Sequence, residues 1–138
     1  MARILIVEDD ADQLEIRSLL LTQAGHQVVA AGSVDQALER LDPPPDAAVI
    51  DLSLPRPEDG RLLLRMLRER APATAMVVLT GQAEALEGQP ERALVRAVLQ
   101  KPSPTRQLLE TLNRLLASRA AGLLAVSAVW LLLASRAA

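Results

Sequence analysis

The chain has 138 residues, half of them apolar and 23% charged, with a formal net charge of −2; that is one domain with enough apolar side chains for a packed core, and no basic excess for nucleic acid. It contains no Cys, Phe or Tyr, one His (His26) and one Trp (Trp130), which rules out disulfides, thiolate chemistry and Cys-ligated metals. It also leaves little for histidine catalysis or for stacking on flat rings. The basic residues are 14 Arg and the single Lys101, so Lys101 marks a position where a compact ammonium serves and a planar guanidinium does not.

The first residues do not form an export signal, because Ile4 to Val7 is only a short apolar run before three acids, and the expected compartment is the cytoplasm. Ile4-Leu5-Ile6-Val7 instead predicts a buried strand. A helix carrying Leu14, Leu19, Leu20 and Leu21 follows, ending near Ala24 with Gly25 as its C-terminal cap. Val28-Val29-Ala30 predicts a second strand. Ser33 and Gln36 have capping-box spacing for a helix faced by Ala37, Leu38 and Leu41, which Pro43-Pro44-Pro45 closes. Ala47 to Ile50 is a third strand ending at Asp51, and Leu62, Leu63, Met66 and Leu67 stripe the helix after it. Met76 to Leu79 is a fourth strand ending at Thr80. Residues 82–96 are ambiguous because Gly88 and Pro90 interrupt any helix there. Val98-Leu99-Gln100 is a fifth strand ending at Lys101. Ser103 caps a last helix with Pro104 at its first position and Leu108, Leu109, Leu112, Leu115 and Leu116 along it.

Strands alternating with helices at this spacing imply right-handed crossovers and a parallel α/β sheet covered on both faces. Ligands of such sheets gather at the carboxyl ends of the strands. Those ends carry Glu8 and Asp9, then Asp51, Thr80 and Lys101. Packed carboxylates repel one another unless a cation sits among them, and hard oxygen donors suit Mg²⁺. An Asp beside such a cation can attack phosphorus, while an ammonium and a hydroxyl hold the phosphoryl oxygens. Each group also has an ordinary reading: acids favouring a helix N-terminus, a turn Asp, a loop Thr, a solvated Lys.

The set Ile4 to Asp10, Val49-Ile50-Asp51-Leu52-Ser53-Leu54-Pro55, Leu79-Thr80-Gly81 and Lys101-Pro102 resembles the receiver domain of bacterial two-component response regulators. The likeness extends from residue 2 to about 118. It implies a five-stranded, doubly wound parallel sheet of order 2-1-3-4-5, as in chemotaxis-type single-domain regulators. It also implies that Asp51 is the phosphoryl acceptor, fed by a histidine kinase or a phosphotransfer protein. Asp9 would ligate Mg²⁺ directly and Glu8 through water, with Asp51 and the Ser53 backbone carbonyl completing the protein ligands. Thr80 and Lys101 would hold phosphoryl oxygens. The implied role is a phosphoacceptor rather than a turnover enzyme, signalling through altered protein association.

Three features depart from the family pattern. Gly60 lies nine residues after Asp51 where the family has Gly at eight, Val98 replaces an aromatic three residues before the Lys, and the fourth-helix region is broken. These motivate the nearest rival, a receiver-like scaffold that is not phosphorylated. A Mg²⁺-dependent phosphatase with an Asp nucleophile would place a second Asp where Ser53 stands, and a flavin module would need aromatic loops. Neither pattern is present.

Residues 1–118 thus read as the receiver and 119–138 as an apolar, helical tail. Residues 120–135 carry no charge, and the peptide Leu-Leu-Ala-Ser-Arg-Ala-Ala occurs at 115–121 and again at 132–138. Leu109, Leu112, Leu116, Arg119, Leu123, Val126, Trp130 and Leu133 would form a coiled-coil-like seam for a second copy or a partner helix. Membrane contact is the alternative, although an uncharged helix of this length spans only about 24 Å against a hydrocarbon core of about 30 Å.

Overall fold

The computed structural model describes residues 2–118; the tail at 119–138, with its seam and its repeat, lies outside the described residues. Five strands, β1 (Arg3–Val7), β2 (Gln27–Ala31), β3 (Ala47–Asp51), β4 (Ala75–Thr80) and β5 (Ala97–Gln100), form one parallel sheet of order β2-β1-β3-β4-β5. This is the expected doubly wound architecture. Helices α1 (Ala11–Gln23), α2 (Val34–Glu39) and α3 (Pro57–Arg70) connect the first four strands, and helix α4 occupies 105–118.

The strand sequences are apolar throughout because both faces are covered. Successive side chains point to opposite sides. Leu5, Val7, Ala48, Ile50, Met76 and Val78 therefore pack toward α2 and α3 with Ala37, Leu63, Leu64 and Leu67. Ile4, Ile6, Val49, Val77, Leu79 and Leu99 pack on the other face with Leu21 of α1 and Leu108, Leu112 and Leu115 of α4.

Local signals set the element ends. Asp10 caps α1, its side chain accepting from the amides of Asp12 and Gln13, and Gly25 follows the helix at φ 95°, where a Cβ would be strained. Ser33 caps α2 through Gln36 N–H, but Gln36 Oε1 returns to the amide of Gly32 rather than to Ser33. The apolar faces differ from expectation on two helices. Leu19 is 56% exposed, as is its neighbour Ile16 at 57%; only Leu21 of α1 is fully buried. On α3 the inward stripe is Gly60, Leu63, Leu64 and Leu67, and Leu62 faces outward. The start of α4 also differs. The Pro104 carbonyl accepts from the amides of Gln107 and Leu108, so Pro104 precedes the helix. The Ser103 hydroxyl bonds the Gln107 side chain instead of capping the backbone.

Residues 82–96 form two 3₁₀ turns, Ala83–Leu86 and Pro90–Leu94, in place of a fourth α-helix. Leu86 and Val95 anchor this segment in the core, and an ion pair from Arg65 of α3 to buried Glu91 ties it down. Glu91 was not singled out by the sequence.

Gly60 explains how α3 sits so close to the β3 end. A Cβ there would lie 1.9 Å from the Leu52 carbonyl oxygen, so the position admits only glycine although it comes one residue later than the family spacing. Gly60→Ala should force α3 off the β3–α3 loop and cost about 3 kcal/mol, read from urea unfolding. A change within a few tenths of a kcal/mol would mean that the loop yields freely.

Candidate phosphoacceptor site

The sheet register builds the site. β1 and β3 are neighbours with Val7 opposite Ile50, so the next residues, Glu8 and Asp51, leave adjacent strands side by side. Thr80 ends β4 opposite Gln100, and the Lys101 amide donates to the Thr80 carbonyl at 2.8 Å. That bond lets the Lys101 side chain reach back across β4 toward the two acids.

Asp51 is 3% exposed and Glu8 2%. Asp51 Oδ2 accepts from Lys101 Nζ at 2.8 Å, and Oδ1 accepts from the amide of Ser53 at 3.1 Å and its hydroxyl at 2.9 Å. Glu8 Oε1 accepts from the Asp10 amide. Its Oε2 accepts from Arg17 Nη1 at 2.6 Å and from Lys101 Nζ at 3.4 Å. Burial pushes the Asp51 carboxyl upward, but hydrogen bonds from the Lys101 ammonium and the Ser53 amide help to outweigh it and hold Asp51 below the usual carboxylate range. Burial, and then the Asp51 carboxylate beside it, push Glu8 above that range, against the pull of the Asp10 amide and Lys101.

One carboxylate oxygen from each of Glu8, Asp9 and Asp51 lies within 4.8 Å of the other two. Asp9 is exposed while the other two are buried, so the trio is solvent-accessible from one side only. Hard carboxylate donors with an open side suit a small, hydrated divalent cation. Ser53 enters this arrangement through its amide and hydroxyl on Asp51.

Thr80 is buried at the same rim, but its hydroxyl is turned to the following loop. It accepts from the Gln82 amide and donates to the Gln82 carbonyl, both at 3.0 Å. A cleft of about 370 Å³ opens beside it, lined by Leu52, Ser53, Pro57, Thr80, Gly81, Gln82 and Ala85. The structure thus brings Glu8, Asp9, Asp51 and Lys101 together and leaves Thr80 hydrogen-bonded next door. Arg17 belongs to the group and was missed. Its only sequence signal is a position nine residues after Glu8, on the α1 face that turns to the β1 end.

Comparison with known proteins agrees with this fold. The sequence model of the response regulator receiver domain matches residues 4–113. PilH of Pseudomonas aeruginosa is 34% identical over 122 residues, covering 85% of this chain and 99% of PilH. The sensor protein TorS of Escherichia coli is 34% identical over 119 residues, covering 83% of this chain, but the chain spans only 12% of TorS. The crystal structure of a CheY-like receiver domain protein from Methanospirillum hungatei superposes with a TM-score of 0.77 at 25% identity, over 88% of this chain and 98% of that one.

The paired charges carry a pH signature. A carboxyl held below its unfolded value adds stability above the unfolded range, and that stability is lost as pH falls through the folded value. Lys101→Met removes the partner that holds Asp51 down. It should cost about 2 kcal/mol at neutral pH, and the gap to wild type should close as acid protonates the unpaired carboxylates. Urea unfolding from pH 7 to pH 3 measures it; a gap independent of pH would mean that the ammonium does not hold Asp51 ionised.

Proposed function

This chain belongs to the response regulator receiver domain family, and we propose that it works as a phosphorelay receiver, taking a phosphoryl group onto Asp51 from the phosphohistidine of a histidine kinase or a phosphotransfer protein. The observation that carries this reading is the Asp51 carboxylate itself. It is buried yet held ionised, with Lys101 2.8 Å from Oδ2 and the acids Glu8 and Asp9 alongside.

In the transfer, an Asp51 oxygen forms the new bond to phosphorus as the P–N bond of the donor breaks, its electron pair returning to the donor imidazole. Mg²⁺ held by Asp9 and Asp51 and the Ser53 carbonyl, with Glu8 acting through water, would neutralise the phosphoryl oxygens as they approach this acidic pocket. Lys101 follows the charge, its ammonium moving from Asp51 Oδ2 to a phosphoryl oxygen. The Thr80 hydroxyl would exchange the Gln82 carbonyl for another phosphoryl oxygen at the cleft. Water attack on the acyl phosphate would later restore Asp51, so the domain is a phosphoacceptor that resets itself.

No helix among the described residues is long and apolar enough to cross a membrane; the working compartment is proposed to be the cytoplasm. The signal would leave as a changed association with a protein partner. The scaffold reading keeps two supporting observations: Thr80 is already satisfied by Gln82, and Val98 stands where an aromatic would follow its movement.

Incubation with acetyl phosphate and Mg²⁺, read by intact mass, should give a single phosphate adduct on the wild-type chain and none on Asp51→Asn. Equal modification of the Asn variant, or no adduct on the wild type, would overturn the acceptor assignment.

The tail is proposed to govern assembly and not phosphotransfer, because every strand-end group lies before residue 102. A chain ending at Ser118 should still take phosphate and should scatter light as a monomer. The full chain should self-associate, with binding to added vesicles marking the membrane alternative. Loss of phosphorylation on truncation would place the tail within the fold.

A further inference from the structure

The shortest ion pair in the site involves a residue outside the receiver motifs. Arg17 Nη1 lies 2.6 Å from Glu8 Oε2, nearer than Lys101 Nζ at 3.4 Å. Lys101 makes its short bond to Asp51 instead. Arg17 is therefore the main counter-cation of a carboxylate that is 2% exposed. Its guanidinium is also steered, since Nη2 donates to Gln13 Oε1 one turn earlier on α1 at 2.9 Å, and the side chain is only 19% exposed. Such a site is costly to leave unpaired. When Lys101 turns toward a phosphoryl group, Arg17 is what still neutralises Glu8.

The same placement bears on the divalent cation. Glu8, Asp9 and Asp51 face two cations, Lys101 and Arg17, leaving the pocket one formal negative charge. Without Arg17 the deficit doubles. We propose that Arg17 is a positioning residue of this site, a second cation on Glu8 that holds its carboxylate in place and keeps the affinity of the acid pocket for Mg²⁺ low. This rests on the reading of Glu8, Asp9 and Asp51 as the metal site.

The test is calorimetric titration of Mg²⁺ into the full chain and its variants at neutral pH and low ionic strength. Loss of a unit charge near a divalent ion should tighten binding about tenfold, so Arg17→Met should bind Mg²⁺ that much more tightly than wild type. Arg17→Gln, which keeps a donor toward Glu8, should shift the same way and serves if the Met variant does not fold. Arg17→Lys should stay within about twofold of wild type because it keeps the charge. A purely structural role would loosen the pocket and weaken binding, the opposite sign. Asp9→Asn separates the two readings. If it weakens Mg²⁺ binding while both neutral Arg17 variants match or fall below wild type, the Arg17 proposal is overturned and the metal site stands. If no protein in the series binds Mg²⁺, the metal site fails and the proposal falls with it.

Discussion

Two buried carboxylates on adjacent strand ends would push each other apart, and the ammonium of Lys101 between them is what lets the rim of this sheet close. Parallel pairing of β1 with β3 leaves no freedom in the matter: with Val7 opposite Ile50, Glu8 and Asp51 must emerge together. Lys101 comes from β5, beyond β4 from β3 in the sheet. Its backbone is pinned to Thr80, and its side chain then bonds Asp51 and Glu8 at once. The charge is thus supplied from the far side of the sheet to the place where the topology creates the repulsion. In a medium of lowered dielectric that attraction is large, and so is the cost of removing it. A phosphoacceptor needs this combination, because the carboxylate must stay ionised to attack and must have a cation ready for the oxygens that arrive.

The scaffold is organised around keeping that rim fixed. Apolar side chains alternate above and below the strands into two separate cores, so neither face can slide without exposing one of them. Gly60 brings α3 against the Leu52 carbonyl, which anchors the loop carrying Ser53, and Ser53 in turn grips Asp51 Oδ1 twice. Asp10 caps α1 while its amide holds Glu8 Oε1. The third member of the acid triplet is a fold residue that orients the first.

How much of this the sequence discloses depends on the range of the interaction. Strand runs, their order along the chain and the acids, hydroxyl and ammonium at their ends are local patterns, and all five strands formed where those patterns lay. The inward faces of α1 and α3 were harder. In a chain this rich in Leu, neighbours such as Leu19 and Leu21, or Leu62 and Leu63, have the same hydrophobicity, and only the docking angle decides which is buried. Arg17 was invisible for a different reason. Arg is the commonplace cation of this chain, and nothing local tells the one that meets Glu8 from those on the surface. Glu91 is the same case, since its burial beneath Arg65 arises only when α3 and the second 3₁₀ turn meet. The spacing of Gly60 suggested an altered loop, and the structure sets that glycine against the Leu52 carbonyl, where no Cβ fits.

The segment that replaces the fourth helix fixes how the Thr80 hydroxyl is held. Residues 83–94 are short 3₁₀ turns, whose hydrogen bonds are poorer than those of an α-helix. Their first fixed point toward the site is Gln82, whose amide and carbonyl both engage the Thr80 hydroxyl. A hydroxyl has one proton to give. On the proposed reading, a new acceptor at Thr80 would take that proton from the Gln82 carbonyl, which would still accept from Ala85 N–H at the start of the first turn. Leu86 and the Arg65–Glu91 pair hold the remainder of the segment to the body of the domain. Thr80 is thus tied to the first 3₁₀ turn through the backbone of Gln82 alone. That link involves no aromatic ring, and Val98 is partly buried against the core.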